Sequence, residues 1–277
     1  MASLPQSLEL RASSPPVPNV SKLLGRFGRA FNRSYVIAIV LALWELVPRT
    51  HLVEPAFLPP LSEVLAAGWT LASTGDLWQH VRASLSRSLL GFSLSILSAV
   101  PLGLLMGWYR GVASTLDPLL EALRNTAALA LLPVFILLLG IGETSKIALI
   151  VYACSWPLLL NTVSGVRGVD PLLVKSARTM GLGSLQLFRK VILPASVPTI
   201  FVGIRLAGAT SLVVLVAAEM IGAKAGLGYL IIYAQYNFQI PQMYFGILTI
   251  TVIGVAFNGL LREVERRFTS WKPSASE

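Results

Sequence analysis

The stretch LLGFSLSILSAVPLGLLMGWY, residues Leu89 to Tyr109, contains no charged residue. A helix crosses the hydrocarbon core of a bilayer when roughly 20 consecutive residues are mostly apolar, and this stretch has that length. In water so large an apolar surface would cause aggregation, whereas lipid solvates it. The stretch therefore predicts a transmembrane helix. Gly103, Gly107 and Gly111 have the Gly-x-x-x-Gly spacing that permits close contact with another helix.

Similar apolar stretches recur along the chain. The first is short and contains Glu45, so it must take in flanking residues or begin before Asn32. Glu121 and Arg124 interrupt the start of the third. The sequence thus predicts an all-α, polytopic membrane protein with about six transmembrane helices, near residues 35–47, 89–109, 119–139, 147–166, 195–221 and 244–261.

The composition also favours a membrane protein. Hydrophobic residues make up 55% of the chain and charged residues 13%, against about 25% charged residues in soluble domains. The net charge of +9 does not indicate nucleic-acid binding, because the basic residues lie in tails and loops between apolar stretches. We expect a disordered cytoplasmic tail over residues 1–32, a transmembrane domain over 33–268 and a second cytoplasmic tail over 269–277.

Basic residues indicate the orientation of the chain. With both termini on one side of the membrane, fifteen Lys and Arg residues of the tails and loops lie on that side. Only four lie on the other side: Arg49, Arg82, Lys146 and Lys224. Because Lys and Arg accumulate in cytoplasmic loops, both termini are predicted to be cytoplasmic.

A long cytoplasmic loop, residues 167–194, includes the sequence VDPLLVKSARTMGLGSLQLFRKVILP. Asp170 followed by Pro171 is typical of a helix start, with proline in the first turn. Gly181 and Gly183 would end this helix. The loop is therefore expected to begin with one short helix.

A second short helix is expected over residues 185–190, with Ser184 as its cap. Its apolar patch would consist of Leu185, Leu187 and Phe188. A short helix that exposes apolar residues to the cytoplasm is suited to docking a partner protein. The residues alone favour equally an interfacial helix that lies on lipid headgroups.

The same loop resembles the EAA motif of ABC importer permeases, in which Glu-Ala-Ala precedes a glycine and a closing Ile-x-Leu-Pro. Gly181 takes the glycine position, and residues 191–194 fill the closing positions at the right distance. Lys175 replaces the acidic residue of the motif, followed by Ser176 and Ala177. The resemblance implies that the loop couples the chain to an ATPase through Ala177, Gly181, Ser184, Leu185, Leu187, Phe188 and Pro194.

Two further stretches resemble permeases for sulfonates, taurine and nitrate: LRNTAALALLPVFILLLGIGETSKI from Leu123 and VGIRLAGATSLVVLVAAEMIGAKAGLGYLI from Val202. The resemblance covers about Phe57 to Lys272. It implies a type I ABC importer permease in the bacterial inner membrane, with a second permease copy as a homodimer partner. It also implies two ABC ATPase subunits and a periplasmic substrate-binding protein as partners.

Among the charged residues within predicted spans, Arg124, Arg205 and Glu219 are singled out as candidates. A charge at the centre of a span costs about 2.5 to 3.5 kcal/mol on insertion scales, so each is a candidate for the translocation path. One hypothesis is that Arg205 faces the path and stabilises a passing anion. The other is that Arg205 forms an interhelical ion pair or bonds to backbone carbonyls.

No catalytic residue is expected. The phosphate-binding pattern Gly-x-x-x-x-Gly-Lys-Ser/Thr is absent, so ATP and Mg are expected in the partner ATPase and no cofactor in this chain. His51 and His80 are too far apart to suggest a metal site. The expected solute is a small anion, an aliphatic sulfonate or taurine first, with nitrate or bicarbonate as alternatives. A secondary transporter that works without an ATPase is the alternative function.

Overall fold

A computed structural model describes residues 20–50 and 52–268, with side chains described from residue 35 onward, and these ranges contain helices and no strand. A 3-10 turn, Ala128–Leu131, precedes α5, and a π-helical segment, Phe188–Ile192, joins α8 to α9. The helices are α1 Val20–Arg49, α2 Leu61–Thr74, α3 Asp76–Trp108, α4 Arg110–Arg124, α5 Leu132–Leu139, α6 Glu143–Arg167, α7 Pro171–Thr179, α8 Ser184–Leu187, α9 Leu193–Met220, α10 Leu227–Tyr236 and α11 Ile240–Phe268.

Up to five membrane crossings are present among the described residues. By length and apolar composition, α3, α6, α11 and the continuous run Ser184–Met220 each suffice to cross a bilayer. The fifth crossing requires α4 and the helical turns after it to act together. Helix α1 contains the first expected span but does not meet this criterion of length and apolar composition.

The region of the third expected span is bent, which corrects the expectation of one continuous span over 119–139. Helix α4 and the run Ala128–Leu139 are bent by 86° relative to each other. Ala127 is in an extended conformation that no helix continues. Pro133 then lies in the first turn of α5, where its missing N–H breaks no helical bond.

Helix α1 starts at Val20, within the tail expected over residues 1–32. Residues 1–19 and the tail at 269–277 lie outside the described residues.

Helix α6 packs closely against α3 through two of the three spaced glycines. A Cβ atom on Gly103 would lie 2.7 Å from Cβ of Thr162, and one on Gly107 would lie 2.6 Å from Cβ of Val166. Gly111 has no atom within 4 Å of such a Cβ. The predicted close contact is therefore confirmed at the first two glycines and wrong at the third, because Gly111 belongs to the separate helix α4.

Helix α6 packs against α9 in the same way. A Cβ atom on Gly203 would lie 2.9 Å from the carbonyl oxygen of Pro157, and one on Gly165 would lie 3.1 Å from that of Ser196. Large apolar side chains fill the core between these helices, including Phe92, Met106, Leu149, Leu158 and Leu215. Helices α3, α6 and α9 thus form one closely packed layer.

Candidate functional site

Helix α7 begins where the sequence predicts. The Oδ1 atom of Asp170 accepts a hydrogen bond of 2.8 Å from the backbone N–H of Leu172, which caps the first turn. Pro171 occupies the first helical position, where an N–H would have no helical partner. The predicted helix start is confirmed.

A Schellman turn around Gly181 ends α7. The N–H of Leu182 donates to the carbonyl of Ala177 at 3.2 Å, and the N–H of Gly181 donates to that of Arg178 at 3.0 Å. These two bonds define the motif. Gly181 has a φ of 82°, in the left-handed region where a side chain is unfavourable. The backbone conformation at this position therefore explains why the EAA-like pattern has a glycine there.

An apolar cluster attaches the short helices α7 and α8 to α6. Ala177 and Leu187 are each 2% exposed and belong to one cluster with Val166 of α6 and Ile192. The 167–194 segment is therefore a folded unit attached to the membrane helices rather than a loose loop.

The expected exposed patch on α8 is corrected. Leu185 is 64% exposed, whereas Leu187 is buried and Phe188 is half-buried, with its ring centroid 5.4 Å from that of Trp108. Residues two apart in a helix point in different directions, so Leu185 and Leu187 cannot share one surface. The exposed apolar surface of the segment instead consists of Leu172, Leu173, Met180 and Leu185.

The helical run that begins with α8 does not stop at residue 190, contrary to the expected short helix over residues 185–190. It begins at Ser184 with Gly183 in the cap position, so Ser184 is not the cap. The helix then runs on to Met220 through the π-helical segment Phe188–Ile192. Pro194 cannot donate to the carbonyl four residues before it, and a wider π turn accommodates such a missing bond.

Arg205 forms the interhelical ion pair that the sequence left as an alternative. Its Nη1 atom lies 3.2 Å from Oε2 of Glu265 on α11. Its side chain is 36% exposed and lines a cavity of about 710 Å³ between α9 and α11. A role for Arg205 in the translocation path stays a prediction.

Arg124 lies at a different cavity, of about 670 Å³, bounded by α3, α4 and α6. Acidic and basic side chains both line this cavity, together with a tryptophan: Asp117, Glu121, Arg124, Trp156 and Arg167. The structure therefore does not bring Arg124 and Arg205 to one cavity. The path role of Arg124 also stays a prediction.

Glu219 is fully buried inside the chain. Its Oε1 atom lies 2.6 Å from Nη1 of Arg87, and its Oε2 atom accepts bonds from Ser84 Oγ at 2.7 Å and Gly228 N at 2.9 Å. Arg87 also forms an ion pair with Glu143, with Nη2 2.7 Å from Oε1. Both oxygens of Glu219 thus have partners in the chain, and its place in the path stays a prediction.

The sequence did not single out Ser84, Arg87 or Glu143. Arg87 stands just before the predicted span at Leu89, whereas helix α3 already begins at Asp76. A signal was nevertheless present: His80, Ser84 and Arg87 recur at the spacing of one helical face. Polar residues in a stripe that leads into an apolar span indicate a buried polar contact.

Residues 99–270 match the family described as binding-protein-dependent transport system inner membrane component. The chain belongs to this family. It is the permease subunit of an ABC importer, and the alternative of a secondary transporter is wrong. It is a membrane protein with several apolar helices.

Two relatives and one solved structure are similar to the permease. It is 35% identical over 240 residues to the taurine transport system permease protein TauC of Escherichia coli (strain K12), covering 85% of this chain and 87% of that one. It is 36% identical over 235 residues to the putative aliphatic sulfonates transport permease protein SsuC of the same strain, covering 85% and 89%. An inward-facing structure of the MetNI methionine ABC transporter has a TM-score of 0.63 at 17% identity, covering 70% and 96%. The last similarity supports the predicted type I permease fold.

Proposed function

We propose that this permease pairs with a second copy of itself to enclose a translocation path for a small anionic solute across the bacterial inner membrane. A dimer of ABC ATPase subunits, which bind ATP and Mg, drives transport, and a periplasmic binding protein delivers the solute. Both termini and the 167–194 segment lie on the cytoplasmic side. The chain itself binds no cofactor.

One observation carries the coupling part of the proposal: the 167–194 segment is folded, packs against the membrane helices and presents exposed apolar side chains among polar and basic ones. Leu172, Met180 and Leu185 are 69%, 72% and 64% exposed, while Ala177 and Leu187 attach the segment to α6. Exposed apolar side chains on a rigid support are suited to the pocket of a partner protein. An interfacial helix that only rests on lipid headgroups needs no such support.

Taurine or an aliphatic sulfonate is the proposed solute, and nitrate and bicarbonate are the alternatives. The names of the two relatives support the first choice. Arg124 and Arg205 support an anion, because each lines a cavity and a guanidinium binds two oxygens of an oxyanion at once.

Reconstitution into liposomes with the ATPase subunits and the binding protein tests this function. We expect ATP-dependent uptake of radiolabelled taurine that unlabelled ethanesulfonate inhibits more strongly than nitrate or bicarbonate does. Liposomes without the ATPase are the control. Uptake that continues without the ATPase would contradict the coupling proposal, and inhibition by nitrate alone would replace the proposed solute.

A further inference from the structure

Ser84, Arg87, Glu143 and Glu219, together called the outer clasp, join three helices at one end of the bundle. Arg87 belongs to α3, Glu143 is the first residue of α6, and Glu219 lies at the end of α9. The side chains of Arg87 and Glu219 are 5% and 0% exposed, whereas that of Glu143 is 63% exposed. Burying charges is costly even when they are paired, which points to a role beyond packing.

The outer clasp also holds the chain that follows α9. Residues 221–236, called the outer segment, comprise a glycine-rich loop and helix α10. Side chains of α3, α6 and α9 bond to its backbone. These bonds join Glu219 to Gly228 N at 2.9 Å, Ser84 to Leu227 N at 2.8 Å, Arg87 to Ala225 O at 2.6 Å, His80 to Gly226 N at 3.1 Å and Lys146 to Gly222 O at 3.3 Å.

Two glycines make this attachment sterically feasible. Gly226 has a φ of 132°, and a Cβ atom on it would lie 2.4 Å from the carboxyl group of Glu219. A Cβ atom on Gly228 would lie 2.4 Å from the carbonyl oxygen of Val216. Without side chains at these positions the loop backbone approaches the carboxylate directly. The glycine-rich loop is therefore shaped to fit the clasp.

The same three helices reach the 167–194 segment at their other ends. Trp108, the last residue of α3, contacts Phe188, and Val166 near the end of α6 packs in the cluster with Leu187. Helix α9 continues without a break into α8. Close glycine contacts join the three helices in between. The outer segment and the 167–194 segment are thus two ends of one packed layer.

We infer that the outer clasp fixes the outer segment to the rigid body that carries the 167–194 segment, so that both ends of the permease move together. Arg87 and Glu219 are positioning residues in this role. When the ATPase subunits displace the 167–194 segment, the outer segment moves by the same rigid-body motion, because the clasp bonds the outer segment to the three packed helices. This inference rests on the proposed function, in which the ATPase moves that segment.

Spin-label distances between the two permease copies test the inference. In a Cys154→Ser background, single labels are placed at the exposed positions Gln186→Cys, on α8, and Tyr236→Cys, at the end of α10. The complex with ATPase subunits is measured without nucleotide and trapped with ATP and vanadate. With the clasp intact, we expect both distances to change between the two states.

Glu219→Gln and Arg87→Gln remove the ion pair. We expect the distance at position 186 still to respond to nucleotide, while the distance at position 236 becomes broad and loses its response. Stimulation of ATP hydrolysis by the binding protein should fall by roughly threefold or more. Glu263→Gln, which removes the exposed ion pairs of Glu263 with Arg266 and Arg267 on α11, is the matched control and should change neither distance.

If the buried variants fail to assemble with the ATPase, Glu143→Gln decides the matter, because Glu143 is the exposed partner of Arg87. We expect it to broaden the distance at position 236 and leave that at 186 unchanged. A normal nucleotide response at position 236 in the assembled clasp variants would overturn the inference. No nucleotide response at position 186 with an intact clasp would instead contradict the proposed function.

Discussion

Gly103 shows how a single missing side chain sets the distance between α3 and α6. Its substitution to Ala would place a Cβ atom 2.7 Å from Cβ of Thr162, which is not the flexible end of a side chain. Overpacking of this kind costs about 1–3 kcal/mol. We therefore expect Gly103→Ala to lower the free energy of unfolding by about that amount, measured by titration with SDS in mixed micelles.

Gly111 provides the control for this measurement. It belongs to the same Gly-x-x-x-Gly spacing, but nothing lies within 4 Å of a Cβ atom built on it. Gly111→Ala should leave stability within about 0.5 kcal/mol of the unmodified chain. Equal losses in the two variants would show that the spacing, rather than the contact with Thr162, determines stability.

Residue spacing predicted which residues share a helical face but not which helices are neighbours. The glycine spacing correctly marked Gly103 as a contact residue, because the helical period fixes which residues share a face. The same argument left Glu219 without a partner, since Arg87 lies 132 positions away in sequence. Only the fold brings the two side chains together, and a hydropathy pattern contains no information on which helices are neighbours.

At the scale of elements, the exposed side of α8 should determine capture of the ATPase. Leu185 is 64% exposed, so Leu185→Asp should leave the stability of the permease within about 0.5 kcal/mol. A central apolar anchor is worth about 2 kcal/mol or more in an interface. We expect the affinity of the permease for the ATPase to fall by more than tenfold, measured with purified subunits by biolayer interferometry.

Gln186→Asp introduces the same charge at the next exposed position and is expected to weaken binding less. Phe188→Asp is a poor probe of docking, because Phe188 contacts Trp108 and its loss destabilises the segment itself. Unchanged affinity in Leu185→Asp would remove Leu185 from the docking surface while leaving the fold of the segment intact.

The ends of helices were predicted well where local capping determines them. The relative direction and the continuity of successive helices were predicted poorly. Asp170, Pro171 and Gly181 predict the bounds of α7 because capping and the left-handed turn are local effects. The bend of 86° after α4 was missed, since apolar composition indicates burial in lipid but not the direction of a helix. The continuity of α8 with α9 was missed because a short helix over 185–190 and a separate span from residue 195 were expected, whereas the π-helical segment joins the two helices.

For the whole molecule, side-chain packing and the distribution of basic residues both distinguish the end with the 167–194 segment from the end with the outer clasp. The contact of Trp108 with Phe188 places the loop after α3 beside the 167–194 segment. The outer clasp gathers the starts of α3 and α6 and the end of α9 at the opposite end. Lys and Arg are concentrated in the loops of the first end, which is the physical reason to expect that end in the cytoplasm.

Labelling with a membrane-impermeant maleimide tests this orientation. Met180→Cys and Tyr236→Cys place single exposed thiols at the two ends, at positions that are 72% and 78% exposed. The unmodified chain serves as the blank, because Cys154 is fully buried and should not react. We expect Tyr236→Cys to react in intact spheroplasts and Met180→Cys to react only in inverted membrane vesicles. Reaction of Met180→Cys in spheroplasts would place the 167–194 segment outside the cell, where no ATPase could contact it.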